Sequence, residues 1–163
     1  MNLYMEIKTS FISYDELCSY CSCKDFFQRK ISHREIVAIL DATEKFFPIR
    51  LNELAKQYGF DEVTCSITYA RKALGRCSYS ERHISLNIVL LCYPKIMREG
   101  VFIHELCHLT HNNHSKAFYE LLYSMVDRNY KVGHYENSNY VLRDKLIRCY
   151  NKCNGSRKVI FKS

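Results

Sequence analysis

A chain of 163 residues is the length of one ordinary domain, and 47% hydrophobic with 25% charged residues excludes a wholly disordered polypeptide. The formal net charge of +7 excludes an acidic protein and leaves two readings: an ordinary basic surface, or a preference for nucleic acid, nucleotides or acidic substrates. The first ten residues carry Glu6 and Lys8 and no apolar run, and the run from Ile88 to Tyr93 is far too short to span a bilayer, so neither a secretory signal nor a membrane partner is expected.

Nine cysteines are many for this length, but an unsecreted chain keeps its thiols reduced. A cytoplasmic protein is therefore expected, with most cysteines serving as small buried apolar residues. Cys18, Cys21 and Cys23 form a C-x-x-C-x-C cluster that could join Cys149 or Cys153 around a structural zinc, although it lacks the paired C-x-x-C spacing of such sites. With only 5 Gly, 2 Pro and no repeat, a single domain over 1–163 is expected. Its 1–31 segment is poorly defined, and its basic 151–163 tail is expected to be flexible.

Phe11 to Cys18 and Lys24 to Lys30 are candidate short helices. Ser32 followed by Glu35 forms a capping box for a helix that carries Ile36, Ile39, Leu40 and Phe47 at helical spacing. Pro48 is expected to break or kink it, leaving a second helix from Arg50 to Tyr58 that Gly59 stops. Val63 to Tyr69 alternates and is rich in β-branched residues, as a half-buried strand does. Lys72 to Ser78 is a candidate second strand, Tyr79 to Arg82 a polar turn, and His83 to Leu91 a third strand. Together they predict an antiparallel meander of about three strands. Pro94 opens a helical segment reaching Thr110. Asn112 and Asn113 break it, with a left-handed turn expected there, and a further helix runs from Ser115 to Arg128. A loop over 128–137 and a last helix over 138–150 complete the pattern.

The chemistry is concentrated in the apolar stretch from Val101 to His108, which contains H-E-x-x-H. At 100° per residue, His104 and His108 lie on one helical face a turn apart, where two imidazoles can share a metal. Glu105 is offset from that face, out of easy ligand reach but able to act on a water at the metal. A catalytic zinc takes three protein ligands and keeps one position open, and it lowers the pKa of its water to about 7 for a carboxylate base. Burying two His and a Glu in so apolar a helix is unfavourable unless they pair or bind metal.

The third ligand comes from His111, His114, Glu120, Asp127 or Glu136. His111 lies about 10 Å along the helix axis from His104, too far for one ion on one rod. His114, returned by the Asn112-Asn113 turn, is the better candidate, with Ser115 capping the next helix. Arg71, Lys72, Arg76 and Arg82 gather before the third strand. Arg71 and Arg76 are candidate substrate-binding residues that could hold phosphates, although Glu81 partly offsets their charge.

The segment from His104 to Phe118 resembles the H-E-L-x-H-x-x-x-x-N-H-S-x-x-F signature of YgjP-like metallopeptidase-type proteins, relatives of the SprT and WLM zinc peptidases. Leu74 to Ser78 is similar to that family's W-G-S-C-S, His83 to Asn87 to its N-I-S-L-N strand, and Tyr93-Pro94 precedes the helix as there. Leu74 and Arg76 depart from the family's Trp and Ser. The resemblance implies an α+β, zincin-like fold: a small antiparallel sheet packed on the H-E-x-x-H helix, with further N- and C-terminal helices. It implies a metal-dependent hydrolase, with zinc first and manganese or nickel as rivals. A peptidase leads. The alternatives are a nucleoside triphosphate pyrophosphohydrolase using the same site, a SprT-like protease acting on DNA-associated proteins, and a purely structural metal.

Overall fold

The computed structural model describes residues 8–22, 26, 28–69, 73–126 and 143–148. Arg71, Lys72, Cys23, Cys149, Cys153, the 128–137 loop, the 151–163 tail and most of the expected 138–150 helix lie outside the described residues, although 143–148 is helical.

Helix α1 spans Tyr14–Ser22, later than the expected Phe11 start. Ser13 sets the boundary, since its Oγ accepts from the Glu16 N–H at 3.1 Å and its carbonyl from the Leu17 N–H at 3.1 Å. Helix α2 is continuous over His33–Gln57, with the Ser32–Glu35 capping box formed and Pro48 inside it. The expected break does not occur. The proline removes one backbone bond, to the carbonyl of Glu44, an exposed residue that water can reach. Burial of Phe46 and Phe47 before it and of Leu51 and Leu54 after it holds both halves to the same core. Asn52 clamps the region, donating to the Pro48 carbonyl at 3.1 Å and the Val63 carbonyl at 3.0 Å. The helix ends in a Schellman motif: the Phe60 N–H donates to Ala55, the Gly59 N–H to Lys56, and Gly59 has a φ of 79°.

Strands β1 (Thr64–Thr68), β2 (Gly75–Ser78) and β3 (His83–Asn87) form a sheet in the order β1-β3-β2. The expected three strands are there, but the antiparallel meander is not. β2 and β3 pair antiparallel through the 79–82 turn, whereas β1 runs parallel to β3. Side-chain alternation fixes which face of a strand is buried, not which strand is its neighbour. Here the most apolar strand, β3, takes the centre, and the 69–82 segment is long enough to allow the parallel return. The strand expected to reach Leu91 stops at Asn87. That side chain accepts from the Val89 N–H at 3.1 Å and donates to the Ala73 carbonyl at 2.9 Å, diverting the chain into a 3₁₀ turn over Ile88–Cys92.

Helix α3 (Lys95–Cys107) follows, packed against α2, β2, β3 and helix α4 (Lys116–Met125). Its Val101, Phe102, Ile103, Leu106 and Cys107 are buried, and Phe102 meets Phe47 edge-on at 5.3 Å. One hydrophobic cluster links α1, α2, the sheet, α3 and α4. Among the described residues, no helix is long and apolar enough to cross a membrane.

Candidate metal centre

The amphipathic burial of α3 decides where its histidines sit. Val101, Phe102 and Leu106 anchor the helix in the core, leaving His104 and His108 half-buried on the flank that faces α4. The helix then tightens. The N–H groups of His108, Leu109 and Thr110 donate to the carbonyls three residues back, and His111 returns to Cys107 at 2.9 Å. The chain reverses without the expected left-handed Asn112 or Asn113, because Arg82 is the one non-glycine with positive φ among the described residues. Ser115 restarts the helix by accepting from the Phe118 N–H at 3.3 Å, which places His114 beside the two ring nitrogens of α3.

The ligand-capable atoms of His104, His108 and His114 all lie within 4.8 Å of one another, and the Nε2 atoms of His104 and His114 are 3.1 Å apart. Two bonds of 2.0–2.1 Å at a tetrahedral angle separate their nitrogens by roughly 3.3 Å, so the cluster fits a single ion. His108 donates from Nδ1 to the His111 carbonyl at 3.0 Å, which fixes its ring and leaves Nε2 for the cluster. His111 thus contributes its backbone, not its ring. His104 Nδ1 is buried without a hydrogen-bond partner. Burial, with repulsion from His108 and His114, holds the His104 imidazole down at about 4. Burial also lowers His108, partly offset by its bond to the His111 carbonyl. Neutral imidazoles are the form that binds metals.

Glu105 follows His104 on α3 and is 6% exposed. Burial pushes its carboxyl up to about 7, and the Arg76 guanidinium pulls it only part of the way back. Among the described residues it has no hydrogen bond or ion pair. The space for it comes from Gly75 on β2, where an added Cβ would stand 2.7 Å from Glu105 Cγ. Arg76 itself is exposed and pairs in register with Ser85, on the face of β2 opposite Gly75. Arg71 lies outside the described residues. Arg82 donates to the Asp61 carbonyl at 3.1 Å, and Lys72, like Arg71, lies outside the described residues.

Sequence reasoning assigned no role to Gly75 or Phe118, although both stood within the recognised motifs. Phe118 is fully buried and touches all three imidazoles, stacking on His108 at 4.6 Å and meeting His104 and His114 edge-on at 4.9 Å. Its place three residues after the Ser115 cap was the available signal. The expectation for cysteines holds for Cys107, buried and pushed up to about 12, whereas Cys77 is only half-buried.

The profile of the YgjP-like metallopeptidase domain matches residues 29–134, from the start of the capping box through the whole histidine cluster. The chain belongs to this family. YgjP-like membership makes it a metallopeptidase-type, metal-dependent hydrolase and implies a metal ion, which the three imidazoles could hold. The α+β class expected from the sequence stands, with the sheet mixed instead of antiparallel. Among solved structures the chain is similar to the metallopeptidase zymogen abylysin of Pyrococcus abyssi, at 19% identity and a TM-score of 0.46, over 69% of this chain and 99% of that one. No curated protein sequence matches the chain.

Proposed function

We propose that this YgjP-like chain is a zinc-dependent peptidase in which His104, His108 and His114 hold the metal and Glu105 is the general base. The observation that carries the proposal is the clustering of three imidazoles, one of them the sequence neighbour of a buried glutamate that has no hydrogen bond or ion pair among the described residues. A bound divalent ion supplies Lewis acidity that polarises a carbonyl and makes water acidic near neutral pH. Three imidazole nitrogens favour zinc over harder, oxygen-seeking cations. Manganese and nickel also bind imidazole and are tested directly below.

Within this reading, Glu105 removes a proton from the attacking water and returns it to the leaving amine. Gly75 keeps the carboxylate's volume clear, and the bond from His108 to the His111 carbonyl keeps that ring in one orientation. Phe118, fully buried, gives the three imidazoles a rigid apolar backing. A purely structural metal is disfavoured, since closed structural sites take four protein ligands and the described cluster offers three. A pyrophosphohydrolase using the same site is the second reading, and the Arg76 guanidinium, which acts on the Glu105 carboxyl, is its one cation among the described residues. The single core cluster supports one domain. The free thiols of the described cysteines fit a reducing cytoplasm.

Elemental analysis of the purified chain should return zinc near one equivalent. Parallel assays on peptides and on nucleoside triphosphates should show peptide cleavage that Glu105→Gln abolishes. Full activity in that variant, or turnover of nucleotides alone, overturns the proposal.

A further inference from the structure

We propose that Tyr119 and Tyr123 on α4 form a substrate subsite that takes an aromatic side chain of the peptide close to the scissile bond. The inference rests on the peptidase reading above, because it gives a role to two rings that stack outward from His114.

The rings continue a ladder that begins at the histidine cluster. His114 stacks with Tyr119 at 6.1 Å and 29°, and Tyr119 stacks with Tyr123 at 5.8 Å and 23°. Tyr119 and Tyr123 are four residues apart and so share one helical face. They remain 40% and 36% exposed. Packing does not account for them, since the core face of α4 is supplied by Phe118 and Leu122. Scattered surface aromatics are ordinary. Three rings in near-parallel register, starting at a candidate metal ligand, are not scattered.

The ladder is also preorganised. The buried Phe118 packs edge-on against both rings, at 88° to His114 and 89° to Tyr119, which restricts their rotation. Rings fixed before binding lose little entropy when a ligand stacks on them. The charges on the same helix do not compete, because Lys116 and Glu120 pair with each other at 3.7 Å. An aromatic face could also attract a cation, but the chain's net charge of +7 repels cationic side chains and favours neutral aromatic ones. Steps of 6.1 and 5.8 Å carry the ladder no further from His114 than about three to four extended residues span. The recognised side chain therefore lies within that distance of the bond cut.

The chain contains no Trp, so a Trp in the peptide is a unique fluorescent reporter. The test uses the full-length, zinc-loaded Glu105→Gln chain and matched peptides carrying Trp, Phe or Leu at one varied position. The expected result is binding of the aromatic peptides roughly ten-fold tighter than the Leu peptide, with a shift in Trp emission. Tyr123→Leu should erase most of that ratio and the Tyr119→Leu/Tyr123→Leu pair all of it, with zinc content retained. An unchanged ratio in the double variant overturns the subsite. So does loss of zinc from Tyr119→Leu with the ratio intact, which would make Tyr119 only a prop for His114. Wild-type cleavage is measured separately. Cleavage without aromatic discrimination sinks the subsite and spares the peptidase. Aromatic-dependent binding with no peptide ever cleaved sinks the peptidase, and the subsite with it.

Discussion

Glu35 and Glu105 are both buried glutamates, 1% and 6% exposed, and they are treated in opposite ways. Burial alone would raise the Glu35 carboxyl, but hydrogen bonds from Arg29, Tyr20 and the Ser32 N–H outweigh it and hold the group at about 2. Glu105 receives burial without such partners and is pushed up to about 7. A buried carboxylate that is fully bonded stabilises a fold, while one left without bonds is a group kept available for chemistry. The first ties the N-terminal part of the molecule together, joining α1 to the start of α2. The second sits where α3, β2 and the histidines meet.

The sharpest way to break this contrast is to neutralise each carboxylate in turn. Glu105→Gln should reduce kcat/KM on a peptide substrate by about 10³-fold or more, the scale of a lost general base. It should leave the melting temperature of the metal-free chain unchanged or higher, because no bond is lost and a desolvated acid is replaced by a neutral amide. If it lowered stability as much as a Glu35 substitution does, the two sites would not differ in kind.

Glu35→Ala should do the reverse, costing about 2–3 kcal/mol in denaturant unfolding with kcat unchanged. It breaks a pair that includes the partly exposed Arg29, so the effect falls at or below the roughly 3 kcal/mol at which fully buried pairs begin. The pH dependence follows from the lowered pKa. A folded value near 2 against an ordinary 4.5 means the contribution is fully present above about pH 4.5 and is lost as pH falls towards 2. Thermal melts between those limits should steepen with acid in the wild type and flatten in the variant. Equal slopes would show that Glu35 is not held ionised by its partners.

Gly75→Ala links the two terms by forcing a steric change on Glu105. The new methyl would meet Glu105 Cγ at 2.7 Å and Oε1 at 3.0 Å, so the carboxylate must move. Overpacking of this kind costs about 1–3 kcal/mol. Activity should fall mainly in kcat, since the displaced group is the base. A loss confined to KM would mean that Gly75 clears space for substrate instead.

Much of this was legible in the sequence, for particular reasons. The H-E-x-x-H spacing is a helical geometry, so the His104 and His108 alignment needed no tertiary information. The Ser32–Glu35 capping box and the Gly59 stop are likewise local, and both were found as read. Pro48 was misread because its effect depends on what the two halves of α2 bury. The parallel pairing of β1 was hidden because strand order is a nonlocal property. Asn87 ended β3 through bonds to Ala73 and Val89, a competition that apolar periodicity cannot reveal. Gly75 was visible in the motif, but only the 2.7 Å approach explains why no side chain fits there.

The smallest expected effect compares two serine caps that do the same local work. Ser32 accepts from the Glu35 N–H at 3.2 Å and Ser115 from the Phe118 N–H at 3.3 Å. Replacing either by Ala should cost about 1 kcal/mol of stability. The Ser32 loss should end there, because the helix it opens leads only into the core. Ser115 follows His114 directly, and its cap fixes the turn that returns the third imidazole to α3. Ser115→Ala should therefore also weaken zinc binding in a chelator competition. The change should be a few-fold and not a hundred-fold, since the aromatic contacts of the buried Phe118 still hold the His114 ring. Equal zinc affinity in the two variants would mean that those aromatic contacts alone position His114 and that the cap serves only the helix.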